Sequence, residues 1–185
     1  EIIECINFFN GIKKNKRLEI ITHKLAAELL CMNRKDLTMD FALKKILNVI
    51  DSGKASEKFE QMVAALGGPK NILSNYKNIL PNTKYTEDIF SDISGYIESI
   101  STRELGMILI ELGGGRKNIS DKIDYSVGYS NVVNVGDKID TKTPLLTIHA
   151  KNKEDIKSIK KRIKDSFIIS DNTINPLKDV YGKVN

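Results

Sequence analysis

The chain has 185 residues, 41% of them hydrophobic, which is enough for one full domain or two small ones with a real core. Charged residues at 29% and only 4 prolines exclude a disordered tail or a collagen-like repeat. Apolar runs such as Met107-Ile108-Leu109-Ile110 fall far short of the roughly 20 residues that a membrane helix needs, and Glu1 and Glu4 stand where a signal peptide would carry basic residues, so a soluble protein is expected.

Helices are predicted through the first third. Residues 1–10 read as a helix that Asn10-Gly11 stops; since position 1 is Glu and nothing before it supplies a cap, the chain reads as a fragment of a longer protein. Leu18, Ile21, Leu25 and Leu29 mark one face of a second helix ending near Asn33. A third carries Leu43, Ile46, Leu47 and Ile50 before Asp51-Ser52-Gly53 breaks it. The fourth carries Phe59, Met62, Val63 and Leu66 and ends at Gly67-Gly68-Pro69, followed by a short helical turn at 71–78.

Beyond Pro81 the pattern changes to α+β. Residues 85–91 and 96–99 read as extended segments, and Ser101 with Glu104 reads as a capping box for a helix whose apolar side is Leu105, Ile108, Leu109 and Leu112 until Gly113 ends it. Residues 124–135 and 145–150 are β-rich, joined by Gly136-Asp137 and a polar bend ending at Pro144. Ile156, Ile159 and Ile163 recur at helical spacing in a basic segment, and Phe167-Ile168-Ile169 offers a last strand. The domain boundary is therefore placed at Pro81, with residues 1–80 a helical piece whose faces need further sequence to cover them and 81–185 a compact module.

The formal charge of +5 is concentrated in residues 151–164, where seven basic residues face two acids. No aromatic residue interleaves with these lysines to stack bases, so an amphipathic surface helix with a solvated basic face is expected, and a nucleic-acid helix is the alternative. Cys5 and Cys31 stand far apart with no paired spacing, which argues against a zinc site or redox pair and for idle or buried thiols in a reducing cytoplasm.

No complete active site is visible. Gly113-Gly114-Gly115-Arg116 would let backbone amides and a guanidinium approach an anion, but these glycines follow a helix instead of preceding one, so a helix-ending cap with a mobile loop is expected. His23 and His149 lack partners at catalytic or metal-ligand spacing and read as structural. Asp121, Asp124 and Asp137 read as solvated loop acids, and Ser126 has no Gly two residues before it as a nucleophile elbow requires.

Taken in order, several strings resemble the carboxy-terminal part of the thymidine phosphorylase and pyrimidine-nucleoside phosphorylase family. They are Ser52-Gly53-Lys54-Ala55, Phe59 with Met62-Val63-Ala64-Ala65 and Gly68-Pro69, and Thr102-Arg103-Glu104-Leu105-Gly106-Met107. Gly113-Gly114-Gly115-Arg116, Asp124-Tyr125-Ser126-Val127-Gly128, Gly136-Asp137, Pro144-Leu145 and Ile148-His149-Ala150-Lys151 complete the series, which spans nearly the whole chain and is closest to the bacterial thymidine phosphorylase branch.

The resemblance implies a cytoplasmic pentosyltransferase of pyrimidine nucleoside salvage, with thymidine and phosphate as substrates, no redox cofactor and a homodimeric parent. It implies that residues 1–80 are the helical tail of a large α/β catalytic domain and that 81–185 form a hammerhead-like, barrel-sandwich α+β module. The family's phosphate loop and pyrimidine-gripping residues have no counterpart here, so no catalytic residue carries over and the fragment alone is expected to be an inactive monomer. Two features do carry over: Gly113, Gly114, Gly115 and Arg116 as a loop beside the cleft, and Glu4 at a position where some members ligate a structural cation, although the other ligands have no counterpart here and a surface helix Glu is the expected role. A broader-specificity pyrimidine-nucleoside phosphorylase and a stand-alone basic interaction module are the alternatives. Residues 135–139 followed by 144–148 also resemble a hairpin of biotinyl and lipoyl carriers, but Lys142 lacks the neighbours of a modified lysine.

Overall fold

The computed structural model describes residues 1–12 and 15–182, so the last three residues of the expected 81–185 module lie outside it. The chain divides into two compact units, one of Glu1–Ile79 with Lys178–Asn185 and one of Leu80–Leu177.

The first unit holds five helices: α1 (Ile2–Phe9), α2 (Lys16–Asn33), α3 (Met39–Asp51), α4 (Lys54–Ala65) and α5 (Ile72–Ile79). Local chemistry fixes their ends. The Asn15 side chain accepts from the amides of Arg17 and Leu18 to start α2, and the Thr38 hydroxyl accepts from the amide of Phe41 to start α3. At the end of α4 the Gly67 amide bonds to Ala64 O and the Gly68 amide to Val63 O, with Gly67 at φ +87°. This paired closure needs a left-handed residue, which Gly supplies without a Cβ penalty.

The side of α2 that is buried differs from the expected stripe. Leu25 is 58% and Leu29 66% exposed, while Ala27, on the other side of the helix, is fully buried. α2 and α3 pack against each other, and Ala27 and Ala42 are their buried residues. A small side chain lets a neighbouring backbone come close, and this outweighs the larger area of the leucines. Ile6, Phe8, Ile72 and Leu73 complete the small core, and the ring of Phe9 lies 4.9 Å from that of Phe59.

The second unit is α+β. Its elements are β1 (Tyr85–Phe90), β2 (Gly95–Ile100), α6 (Thr102–Leu109), β3 (Gly128–Ser130), β4 (Lys138–Ile139), β5 (Pro144–Ala150), α7 (Lys153–Asp165) and β6 (Phe167–Ser170). They build two antiparallel three-stranded sheets, ordered β1-β5-β3 and β4-β2-β6. Both sheets and both helices feed one core, in which Ile89, Ile97, Ile108, Leu146, Ile148 and Ile163 are fully buried. Ile156, Ile159 and Ile163 of α7 all point into it, as their spacing predicts.

Three sequence-based expectations are corrected here. The β-rich reading of 124–135 is reduced to the three residues of β3, because Asn131 turns to φ +53° and interrupts the ladder with β5, to which the Val133 amide returns at Leu145 O. The carrier-like hairpin does not form: β4 pairs with β2 and β5 with β1 and β3, so the chain changes sheets between them. Lys142 is exposed in that crossover, where Asp140 Oδ1 accepts from the amides of Lys142 and Thr143. The capping box at α6 is also absent. Ser101 makes no side-chain cap, and the carboxylate of Glu104 is held instead by Arg162.

Candidate functional site

The glycine loop grows out of α6. Its last turn widens over Ile110–Gly114, with Gly113 at φ +96°, and the strand-like Gly115 then leads the chain away. The Gly113 carbonyl accepts from the Asp124 amide at 2.8 Å, so the loop closes on its own neck. Within it, Asp121 Oδ2 accepts from the amides of Lys117 at 3.0 Å and Asn118 at 2.8 Å, and these bonds hold its carboxyl below the usual carboxylate range. Arg116 is exposed, and Ile119 at the tip is 96% exposed.

Both sides of that neck are braced. On the α6 side, Arg162 of α7 donates from Nη1 to Glu111 Oε2 at 2.7 Å and from Nε to Glu104 Oε1 at 2.9 Å. One guanidinium thus joins two carboxylates two turns apart, and its hydrogen bonds to Glu111 and Glu104 hold it well above its ordinary range. Beneath them the hydroxyl of the half-buried Tyr129 donates to Leu105 O at 3.2 Å, and loss of solvation pushes this phenol well above its usual pKa.

On the other side, Asp124 Oδ1 accepts from the amide and hydroxyl of Ser126 at 2.9 and 2.6 Å, and Oδ2 faces Lys151 Nζ at 2.8 Å. The Lys151 and Ser126 bonds lower the Asp124 pKa from 3.8 to about 2. A carboxylate depressed in the fold stabilises it above the unfolded pKa and loses that contribution as the pH falls through the folded one. Because Lys151 is well exposed and screened, the contribution is about 1–2 kcal/mol. Denaturant titrations of the native chain should therefore show this loss between roughly pH 4 and pH 2. Asp124→Asn should show no such step, because it lacks the contribution throughout.

The basic helix is used internally. Lys160 pairs with Glu87 at 2.7 Å, Lys164 with Asp92 at 2.6 Å, and Arg162 and Lys151 as described. The expected solvated basic face is thus largely a set of cross-element ion pairs binding α7 to β1, to the turn after it and to α6. The partners of Lys160, Arg162 and Lys164 lie 51 to 73 residues away in sequence, so no local spacing could announce them.

Between the loop and α7 lies a cleft of about 600 Å³, lined by residues 81–84, 122–126, 151 and 152, all within the second unit. Sequence reading did not find it. Its walls come from three separated segments, and only the fold brings Lys84, Lys122 and Lys151 together.

The other singled-out residues take the following places. His149 Nε2 lies 2.8 Å from Ser130 Oγ and its Nδ1 3.5 Å from Thr86 Oγ1; burial lowers its pKa. His23 stacks edgewise on Phe8 at 6.0 Å between ring centres, with its Nε2 buried and without a hydrogen-bond partner among the described residues. Asp137 accepts from the Asn134 amide at 2.7 Å, so it, Asp121 and Asp124 each tie a separate turn. Cys5 is exposed and Cys31 half-buried, both as free thiols. Glu4 is exposed on α1, and among the described residues no group of three His, Cys, Asp or Glu gathers to hold a metal. No helix among the described residues is long and apolar enough to cross a membrane.

The stretch that contains the braced loop and its supports also carries the relationship to known proteins. Residues 96–170, running from β2 to the end of β6, match the family model of the pyrimidine nucleoside phosphorylase C-terminal domain. The match covers Glu104, Glu111, Gly113, Gly114, Gly115, Arg116, Asp124, Lys151 and Arg162. Over those residues the second unit, an α+β module, is thus similar to the C-terminal domain of the pyrimidine nucleoside phosphorylases.

Proposed function

We propose that this chain serves as the carboxy-terminal part of a cytoplasmic thymidine phosphorylase, a pentosyltransferase acting in nucleoside salvage as a homodimer. The reaction is reversible phosphorolysis. A phosphate oxygen bonds to the anomeric carbon of thymidine, the bond from that carbon to the ring nitrogen breaks, and its electron pair leaves with thymine, giving 2-deoxyribose 1-phosphate. No redox cofactor takes part, and phosphate is a co-substrate.

The observation that carries this reading is the domain match over residues 96–170, which includes the braced glycine loop. The loop's part is to line the cleft of the enzyme. Arg116 and Lys117 are exposed cations on a loop whose two roots are fixed, so they can face an anion without loosening the domain. The groups that grip phosphate and the pyrimidine ring belong to other parts of the enzyme, and the 185 residues alone do not turn over substrate.

The test is an assay of the complete gene product with thymidine and phosphate. Thymine and 2-deoxyribose 1-phosphate should appear in equal amounts, faster than uracil from uridine. Arg116→Ala in that product should lower kcat/KM by about tenfold, the size of one lost charge-assisted contact. Equal use of uridine would favour the broader-specificity branch, and no reaction with either nucleoside would refute the reading.

A further inference from the structure

The cleft beside the loop has a composition that the proposed phosphorolysis does not use. Lys84 comes from the segment entering β1, Lys122 from the loop's return and Lys151 from the turn before α7. Asp124, also in the wall, neutralises one of them through its contact with Lys151. Lys84 and Lys122 are exposed and have no carboxylate within ion-pair distance among the described residues. Three ammonium groups against one carboxylate leave a local charge of +2, which matches a phosphate monoester at about −1.5 to −2 near neutral pH.

A second feature points to what the phosphate is attached to. Tyr125 lies in the same wall between Asp124 and Ser126 and is 79% exposed, although an aromatic ring gains by burial. An exposed aromatic face among cations offers a flat base a stacking surface and its phosphate a counter-charge. The volume of about 600 Å³ falls in the range of small-molecule sites and admits one such ligand.

We propose that the cleft lined by Lys84, Lys122, Lys151 and Tyr125 is a binding site for a nucleoside monophosphate, with the phosphate on the lysines and the base on the tyrosine ring. The site lies wholly within the second unit. It is separate in function from phosphorolysis: a nucleotide held there binds without reacting, as a product or regulator of nucleoside metabolism would.

The test is calorimetric titration of the chain with uridine 5′-monophosphate, alongside uridine, ribose 5-phosphate, inorganic phosphate and a single-stranded oligothymidylate. The monophosphate should bind at least about tenfold more tightly than uridine, and it should also bind more tightly than ribose 5-phosphate or inorganic phosphate. Lys84→Glu with Lys122→Glu should abolish binding; because neither side chain is ion-paired among the described residues, unchanged circular dichroism should show the fold intact. Tyr125→Ala should weaken the nucleotide several-fold while leaving ribose 5-phosphate unchanged. The proposal is overturned by undetectable nucleotide binding, by binding that survives the double charge reversal, or by equal affinity for inorganic phosphate. Preference for the oligonucleotide with a steep salt dependence would overturn it in favour of a nucleic-acid surface. No arm requires catalytic turnover, so the outcome is independent of the phosphorylase reading.

Discussion

Ile148→Ala should destabilise the second unit by about 2–5 kcal/mol, the range for removing a large aliphatic side chain from a core that cannot close around the gap. Ile148 sits on β5, the middle strand of its sheet, opposite Glu87 of β1 and Tyr129 of β3, and it is fully buried. Both flanking strands are held by backbone bonds to β5, so neither can move in to fill the space. Hydrogen exchange of the β5 amides measures the effect, since they open only when the unit does. A loss well under 1 kcal/mol would mean that β5 is not the centre of this core.

Gly95→Ala should cost about 3 kcal/mol, toward the upper end for overpacking, because the obstacle is backbone and not a flexible side chain. A Cβ at Gly95 would lie 2.6 Å from Ser170 O and 2.7 Å from Ile169 Cγ2. Both belong to β6, which pairs with β2 from Tyr96 to Ile100. Relief requires the two strands to separate at the end of the sheet where β4 also joins β2. Exchange of β6 amides should therefore accelerate more than exchange of β5 amides; equal acceleration of both would show that the strain spreads through the whole core.

Much of this fold is legible in the sequence because its signals are local. The glycines that end α4, the isoleucine spacing of α7 and the change from helix to strand near Pro81 all act within a few residues, and each is found where expected. What is not legible depends on partners distant in the chain. Ser101 and Glu104 have the spacing of a capping box, yet Arg162, 58 residues away from Glu104, offers that carboxylate a charged donor, and the cap is not made. Leu25 and Leu29 have the spacing of a buried stripe, yet α2 buries its alanine side. The 135–148 stretch reads as a hairpin only if its two strands share a sheet, and sheet membership is decided by β1 and β2.

The same division holds at the site. Gly113, Gly114, Gly115 and Arg116 stand out as a string, and Gly113 takes the left-handed conformation that such a string allows. The supports that make the loop a fixed feature, Glu111 with Arg162 and Asp124 with Lys151, leave no trace in local spacing. The seven basic residues of 151–164 read as a single charged face, but only the fold shows that four of them are spent on ion pairs within the module.

The most direct measurement is of thymine release by the purified 185 residues supplied with thymidine and phosphate across the pH range. If, as proposed, the domain contributes only a wall and a loop while the groups gripping phosphate lie elsewhere in the enzyme, there should be no release above the uncatalysed rate. Steady turnover that follows this chain through purification would contradict the account, because it would place the reaction centre among these residues.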